Sequence, residues 1–261
     1  MSPVDQDLAL RLAAMNRSAL TALQLRVATL RARREPRVLS RAWREEPFVA
    51  PSTANPMALR RAEVAVMESL AEWEFLDLSP AAPLGTCSAF SAGSQNRVLS
   101  ANRDLEFQAD PTNALALEIA NRPRGDWRIG TCTRVVRTQR SSDPAHTQHF
   151  AILGLARSGR DPGGRTFERS ALESHIEAMR AALRVFTDRS PEVQVFSTLN
   201  EVPGAPLEGA YYSGLRAQLW VGEHNLADGG LVDWLATLRS DRKERLFTSG
   251  FGLERALSLW G

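Results

Sequence analysis

The chain has 261 residues, and its hydrophobic content of 43% and charged content of 24% are typical of a globular domain that buries a sizeable core. No apolar run approaches the roughly 20 residues of a membrane span, and charges scattered from Asp5 onward argue against a secretory signal, so we expect a cytoplasmic protein. The net charge of +2 argues against a protein dominated by binding to a phosphate backbone, although local basic faces remain possible.

The residue types exclude several chemistries. Lys243 is the single lysine and lies in a solvated charged run, so the chain lacks a GxxxxGK[ST] phosphate loop and we expect no Schiff-base chemistry. Cys87 and Cys132 lack CxxC spacing and, with four scattered histidines, form no zinc pattern; we interpret them as buried thiols.

Residues 4–34 place apolar side chains at mostly helical spacing and predict one long amphipathic helix with arginines along it. Such a helix covers the core or a partner subunit. Nucleic-acid binding through its arginines is the alternative, and the absence of interleaved aromatic residues disfavours it. Residues 36–56, with four prolines, predict a linker. The expected division is an N-terminal extension, 1–55, and a core, 56–261.

The core is expected to begin with a helix at Pro56, which is tolerated in a first turn, and to continue through a strand at 74–78 that ends at Ser79-Pro80. Short strands and turns follow, and Pro111 begins another helix. The remaining predicted elements are a hairpin of 131–139 with 148–156, a helix from 168 to about 187, strands at 193–196 and 214–221, a turn at 229–230, a helix at 231–238, a strand at 247–249 and a terminal helix. Paired strands with helices in separate runs predict an α+β fold, an antiparallel sheet flanked by helices.

Two arginine-bearing segments point to a phosphate site. Residues 249–257, SGFGLERAL, run from a Gly-x-Gly turn into an apolar helix and place Arg255 on its first turn. Residues 134–139, RVVRTQ, lie on a strand that returns through 149–155, HFAILGL. Glycines allow backbone to approach a ligand closely, and guanidinium groups match phosphate oxygens, so convergence of the two segments would form an ATP site.

The order of these elements resembles the catalytic core of class II aminoacyl-tRNA synthetases, within them the histidyl-tRNA synthetase-like group, over about residues 56–261. The helix–strand–proline unit ending at Pro80 or Pro83 resembles the first class motif, which forms the dimer interface in that family. Residues 134–150 resemble the second motif and GFGLERAL the third. Residues 209–215, GAYYSGL, resemble the group's YYTG segment, the 229–230 turn its GGRYD turn, and 108–112, QADPT, its RPEGT or RADxT segment.

The resemblance implies an ATP site with Mg²⁺ on the phosphates. Arg137 would hold the α-phosphate and the activated carboxylate, and Arg255 the γ-phosphate. Gln139, which replaces the family's usual glutamate, would bind the adenine amino group, and Phe150 would stack on adenine. The first motif implies a homodimer.

The substrate end departs from the histidyl pattern. Leu207 stands where the group has an arginine for the substrate carboxylate, and Ile152 and Ala156 replace a glutamine and a glutamate, so we expect a substrate other than histidine. The residues that remain for binding the substrate are Asp110, Thr112, Tyr211, Tyr212 and Glu201.

Two functions follow from the resemblance. The first is a stand-alone ligase that activates an amino acid or related carboxylate as an acyl-adenylate and passes it to a small amine, a carrier-protein thiol or a tRNA end. The second is a non-catalytic regulatory subunit, like the synthetase-like partner of ATP phosphoribosyltransferase. No anticodon-binding domain follows the third motif, which suits either function.

Overall fold

The computed structural model describes residues 3–90, 95, 98–138 and 147–261, with side chains from residue 5 onward. The helices in these residues are α1 (Pro3–Ala13), α2 (Arg17–Arg31), α3 (Pro36–Glu45), α4 (Pro56–Ser69), α5 (Thr86–Phe90), α6 (Pro111–Asn121), α7 (Thr166–Arg184), α8 (Trp234–Leu238) and α9 (Leu253–Trp260). The strands are β1 (Glu74–Phe75), β2 (Ala81–Pro83), β3 (Ser100–Ala101), β4 (Leu105–Phe107), β5 (Arg128–Val136), β6 (His149–Arg160), β7 (Glu192–Ser197), β8 (Leu215–Val221), β9 (His224–Val232) and β10 (Glu244–Phe251).

A seven-stranded sheet organises the core, with strand order β1-β5-β6-β10-β9-β8-β7. Every neighbouring pair is antiparallel except β1 and β5, which run parallel. A small sheet of order β2-β4-β3 lies apart from it. The α+β prediction is therefore confirmed, and so is the hairpin, which β5 and β6 form.

One face of the large sheet is fully packed. Helices α4, α7 and α9 cover it, and the apolar core between helices and sheet includes Val66, Met179, Leu153 and Phe251, each at most 1% exposed. Burying each such side chain stabilises the fold by about 1.5–3 kcal/mol, so this face supplies much of the driving force for folding.

The opposite face is packed over only part of its area. Helices α6 and α8 cover one end through a second core that includes Leu115, Ile129 and Leu235. Glycine lets α6 approach: a Cβ on Gly154 would lie 2.7 Å from Pro111 Cγ. The rest of this face is open and forms the floor of a cleft.

The N-terminal extension differs from its prediction. The single helix over 4–34 is broken at residues 14–16, because Asn16 caps a new helix by accepting a hydrogen bond from the Ala19 backbone N–H at 2.9 Å. The predicted linker contains α3, which Pro36 begins at a position where its missing N–H has no cost. No residue of α2 or α3 is buried, and Arg17 Nε contacts Asp104 Oδ2 at 3.1 Å.

The predicted glycine turn at 229–230 is wrong, because both glycines lie inside strand β9. The sheet requires glycine there: a Cβ on Gly229 would lie 2.4 Å from Ser249 Cβ, and one on Gly230 would lie 2.5 Å from Tyr212 Cδ1. Close packing, not chain reversal, explains the pair.

No helix in the described part of the chain is both long and apolar enough to cross a bilayer.

Candidate active site

The open part of the sheet forms a cleft with a volume of about 1170 Å³. Its floor is built from β6, β10, β9 and β8. Its walls are the start of α6, the first turn of α9, residues 53–55 and the loop at 208–212. The cleft thus brings together the two arginine-bearing segments, although they lie far apart in the sequence.

Arg137 lies at the end of β5 and lines this cleft. Its Nε donates to the Ala109 carbonyl at 2.9 Å, and its guanidinium carbon lies 5.1 Å from the centre of the Phe150 ring. These two contacts orient the guanidinium without neutralising it, because Arg137 forms no ion pair with any residue that the structure describes. A fixed and uncompensated cation is suited to an anionic ligand.

Arg255 lies on the first turn of α9 and lines the same cleft. It is exposed and forms no ion pair within the described ranges. Gly252 precedes the helix in an extended conformation, at φ −76° and ψ 94°. The free backbone N–H groups of a helix start add positive potential beside this side chain, which again favours an anion.

The neighbouring Glu254 is held differently. It accepts hydrogen bonds from Arg134 and from Ser52 Oγ, the latter at 3.1 Å. The Arg134 guanidinium also contacts Nδ1 of His149 at 2.8 Å, and Nε2 of that ring lies 2.6 Å from the Ala50 carbonyl. These contacts tie the chain before α4 to the mouth of the cleft.

Phe150, predicted to stack on adenine, lines the cleft beneath Arg137. Gln139, predicted to bind the adenine amino group, lies outside the described residues. Gln148 lines the cleft between them in sequence; it is 8% exposed and its Oε1 has no partner in the described structure. That oxygen is an unused acceptor on a residue that lines the cleft, and sequence reasoning did not identify it.

Asp110 and Thr112 form the acidic corner of the cleft. Asp110 caps α6, and its Oδ1 accepts from the Thr112 backbone N–H at 2.9 Å and from Thr112 Oγ1 at 2.7 Å. Its Oδ2 has no hydrogen-bond partner among the described residues. The carboxylate is therefore oriented by the helix start and keeps one oxygen for a cationic group.

Tyr211 and Tyr212 form an aromatic wall. Their rings meet edge to face at 4.7 Å, and Tyr211 also meets Trp234 of α8 at 5.9 Å. Burial raises the pKa of both phenols, and the charges of Asp110 and Asp228 raise it further, so both hydroxyls stay neutral. This wall is well suited to an uncharged part of a substrate.

Sequence reasoning missed a polar network next to this wall. Asp228 of β9 accepts from Tyr212 Oη at 2.9 Å, from Arg216 Nε at 3.0 Å and from Gln218 Nε2 at 3.0 Å. Arg216 binds it through a second nitrogen as well. The network neutralises its own charges, and the alternation of Arg216 and Gln218 along β8 is the sequence signal that would have indicated a polar sheet face.

Glu201 does not line the cleft. It lies in a turn after β7 at φ 70°, is exposed, and pairs with Arg169 of α7 at 3.8 Å. The turn directs this carboxylate toward the opposite side of the sheet, so Glu201 is removed from the candidate site. Of the three departures from the histidyl pattern, Ile152 lines the cleft, whereas Ala156 is buried beneath α6 and α8 and Leu207 is not part of the lining.

The side chains that commonly bind metals are dispersed in the described residues, and both cysteines are partly buried. No cluster of three or more His, Cys, Asp or Glu side chains suitable for a metal ion occurs in the residues described. Cys87 and Cys132 are half-buried, and burial raises the pKa of Cys132 to about 12, which leaves it protonated and unreactive.

Comparison with known proteins defines the fold. No family model and no curated protein sequence matches the chain. One structure of pyrrolysyl-tRNA synthetase from Desulfitobacterium hafniense is similar with a TM-score of 0.59 and 18% identity, over 77% of this chain and 69% of that one. A second structure of that synthetase gives 0.59 and 15%, over 85% and 71%.

An ATP phosphoribosyltransferase regulatory subunit/histidyl-tRNA synthetase from Bacillus halodurans C is similar with a TM-score of 0.62 and 12% identity, over 82% of this chain and 83% of that one. At such identities the likeness concerns the backbone. The chain therefore has the catalytic-core fold of class II aminoacyl-tRNA synthetases, as its motifs indicated.

Proposed function

We propose that the chain is an ATP-dependent ligase that activates an amino acid or related carboxylate as an acyl-adenylate and passes the acyl group to an acceptor. One observation carries the proposal: Arg137 and Arg255 line one cleft, and neither has a carboxylate partner in the described part of the chain. Elsewhere in the cleft, Arg216 is neutralised by Asp228. Two guanidinium groups that line one cleft, neither of them paired with a carboxylate among the described residues, match a polyphosphate.

The reaction needs orientation and charge neutralisation from the protein. A carboxylate oxygen attacks the α-phosphorus of ATP, a new oxygen–phosphorus bond forms, and pyrophosphate leaves with the electrons of the broken bond. The carboxylate is itself the nucleophile, so no general base is required. Arg137 stabilises charge at the α-phosphate, and Arg255 holds the far end of the leaving group.

Magnesium fits this arrangement as a companion of the nucleotide. Mg²⁺ is commonly bound through substrate phosphates, water and one or two carboxylates, and it neutralises phosphate charge when bound. Glu254 lines the cleft but is paired with Arg134, and Asp228 is saturated with donors. The phosphates and water would therefore supply most of the ligands, with Glu208 as the available carboxylate.

The acidic corner and the aromatic wall define the substrate end. The free oxygen of Asp110 would accept from a substrate ammonium, with Thr112 orienting that carboxylate. Ile152, Tyr211 and Tyr212 present an uncharged surface for the substrate side chain. An amino acid with an apolar or neutral side chain fits a site with one acidic corner and one uncharged wall better than histidine does.

A regulatory subunit is the second candidate function. Its support is the likeness to a structure described as a regulatory subunit/histidyl-tRNA synthetase, together with the apolar residue Ile152 in the cleft. The two free arginines favour the ligase, because a regulator without nucleotide chemistry has no need for an uncompensated pair of cations.

We also propose that the chain forms a homodimer through α4. Met57 and Val64 are 62% and 50% exposed on this helix, whereas Leu59 and Val66 face the core. Sedimentation at micromolar concentration should give a dimer that Val64→Glu dissociates. A monomeric wild-type chain would count against the arrangement.

The test of the ligase is ATP–pyrophosphate exchange with a panel of amino acids that includes non-proteinogenic ones. Arg137→Gln and Arg255→Gln should each lower exchange by about 10²- to 10³-fold, since each removes a donor to developing charge. Arg180→Gln, an exposed change on α7, is the matched control and should leave the rate unchanged. Absence of exchange across the panel, with no binding of ATP, would contradict the proposal.

A further inference from the structure

The positive charge of this protein is concentrated in one segment. Residues 17–44 contain eight arginines and one glutamate, a formal charge of +7, whereas the whole chain carries +2. The rest of the chain therefore carries −5. We call residues 17–44, which comprise α2 and α3, the basic arm. Such a strong local excess of one sign attracts a partner of the opposite sign.

The arm is available to a partner. None of the residues of α2 or α3 is buried. The guanidinium of Arg17 attaches the start of the arm to the small sheet through Asp104 and the Arg103 carbonyl. Arg26, Arg31 and Arg41 form no side-chain ion pair among the described residues. The one acidic residue of the arm, Glu35, pairs with Arg37 in an exposed contact that an incoming anion can replace at little cost.

Helix α3 arranges its charges in a row. Arg37, Arg41 and Arg44 recur at intervals of four and three residues, which places them on one side of a helix as neighbours. A row of guanidinium groups matches successive phosphates of a nucleic-acid strand.

An exposed aromatic side chain lies on the same helix as these arginines. Trp43 is 58% exposed and lies between Arg41 and Arg44 in sequence. Because adjacent residues of a helix do not share a side, its indole lies on the side next to the arginine row, together with Leu39, which is one turn away and 51% exposed. No aromatic residue interleaves with the arginines of residues 4–34, which disfavours nucleic-acid binding by that segment alone. Helix α3 replaces the predicted linker and adds Trp43 to the helical arm. An exposed indole offers a stacking surface to a base that is not paired.

The arm also leads directly to the cleft. A short segment after α3 reaches Ala50, whose carbonyl contacts His149, and Ser52, which donates to Glu254 at the first turn of α9. Thr53 lines the cleft itself. A nucleic-acid strand bound to α3 would therefore lie close to the mouth of the cleft.

From these observations we infer that the basic arm binds a nucleic acid that carries unpaired bases, with Arg37, Arg41 and Arg44 on its phosphates and Trp43 on a base. A purely acidic protein surface would use the arginines but would leave the exposed indole without a role. Binding by the arm does not depend on catalysis, so it can be measured even if adenylation is absent. If the cleft does form an acyl-adenylate, the bound strand is placed to serve as its acceptor.

The experiment measures fluorescence anisotropy of three probes with the full chain over a range of salt concentrations: an RNA hairpin with a single-stranded 3′ overhang, a blunt RNA duplex and a single-stranded DNA. The hairpin with an overhang and the DNA should bind more tightly than the blunt duplex. Trp43→Ala should weaken binding of the overhang at least about fivefold and leave the duplex unchanged, since a stacked base contributes on the order of 1–3 kcal/mol.

Charge-matched variants separate the arm from net charge. Arg37→Gln/Arg41→Gln/Arg44→Gln should lower the slope of log affinity against log salt by about 2 in magnitude, because each contact to single-stranded phosphate contributes about 0.7. Arg180→Gln/Arg184→Gln/Arg189→Gln removes the same charge from exposed positions on and after α7 and should leave the slope unchanged. Circular dichroism checks that both variants are folded.

Three results would overturn the inference. The first is that no probe binds at low salt. The second is that both triple variants bind alike, which would assign the attraction to net charge. The third is that the arm variants leave nucleic-acid binding intact but change the sedimentation of the protein or its binding to an acidic protein, which would make α3 a protein contact.

Discussion

The two faces of the seven-stranded sheet use the same strands and have opposite characters. Along β10, Phe247 and Phe251 point into the cores beneath α7 and α9, while Thr248 and Gly250 alternate with them and line the cleft. The packed face is apolar and filled. The cleft face carries small side chains beside cations such as Arg137, which has no carboxylate partner in the part of the chain that the structure describes.

This difference shows how one sheet combines stability with a binding site. Side chains alternate between faces along a strand, so large apolar residues on one face impose no bulk on the other. Substitutions on the packed face should therefore change stability, and those on the cleft face should change ligand binding. Three experiments test that separation.

The largest expected effect is on the packed face. Phe251 is 1% exposed and stacks on Phe186 at a ring distance of 5.9 Å, so Phe251→Ala should cost about 3–5 kcal/mol of unfolding free energy. Phe150→Ala, on the half-exposed cleft face of β6, should cost clearly less and should weaken ATP binding. Urea unfolding and calorimetric titration with ATP measure the two effects. Equal losses of stability would refute the separation of the faces.

A pH effect should arise on the packed face. His175 of α7 is fully buried, with Nδ1 2.7 Å from Ser249 Oγ, and burial lowers its pKa to about 3, with a smaller contribution from Arg157 and Arg128. The unfolded chain binds a proton near pH 6.5, which the folded chain binds only near pH 3. The contribution of neutral His175 to the unfolding free energy is therefore fully present above pH 6.5 and is lost as the pH drops toward 3.

Between pH 7 and pH 5 this histidine should reduce the unfolding free energy by about 2 kcal/mol. Urea titrations at both pH values measure the loss. His175→Gln removes the titrating group and should flatten this part of the profile by the same amount. A wild-type profile that His175→Gln does not alter would mean that other groups dominate in this range.

The smallest expected effect distinguishes two glycines of neighbouring strands. A Cβ on Gly250 would lie 3.2 Å from Ile152 Cδ1, the flexible end of a side chain, so Gly250→Val should fold and project into the cleft. We expect ATP affinity to fall at least about tenfold, which corresponds to 1.4 kcal/mol. Gly229→Ala instead meets Ser249 Cβ at 2.4 Å and should destabilise the fold. If Gly250→Val folds and binds ATP as tightly as the wild-type chain, the nucleotide does not bind in this part of the cleft.

Local signals predicted much of the framework. Pro56 and Pro111 marked helix starts, because proline fits the first turn of a helix. The structure adds that Asn55 and Asp110 cap these two helices by accepting from free backbone N–H groups. The hairpin of β5 and β6 followed from apolar runs on either side of a polar loop. These features depend on neighbouring residues, so the sequence suffices for them.

Other features depend on contacts across the sheet. The ion pair of Arg216 with Asp228 joins two strands, β8 and β9. Strand β9 was not predicted, because Gly229 and Gly230 suggest a turn when the residues packed against them are unknown. Glu201 was assigned to the site from its type, whereas its turn directs it to Arg169. Helix α3 was hidden among prolines that in fact lie at or beyond its ends.

By itself the sequence identified the candidate residues for the proposed chemistry: one arginine at a strand end, one on a helix start, and the Gly-x-Gly turn before it. Only the tertiary structure decided that Arg137 and Arg255 share a cleft, that neither has a carboxylate partner among the described residues, and that Arg216 is neutralised. The physical reason is that charge compensation depends on distances between residues remote in the chain, which the packing of the sheet sets and local sequence does not encode.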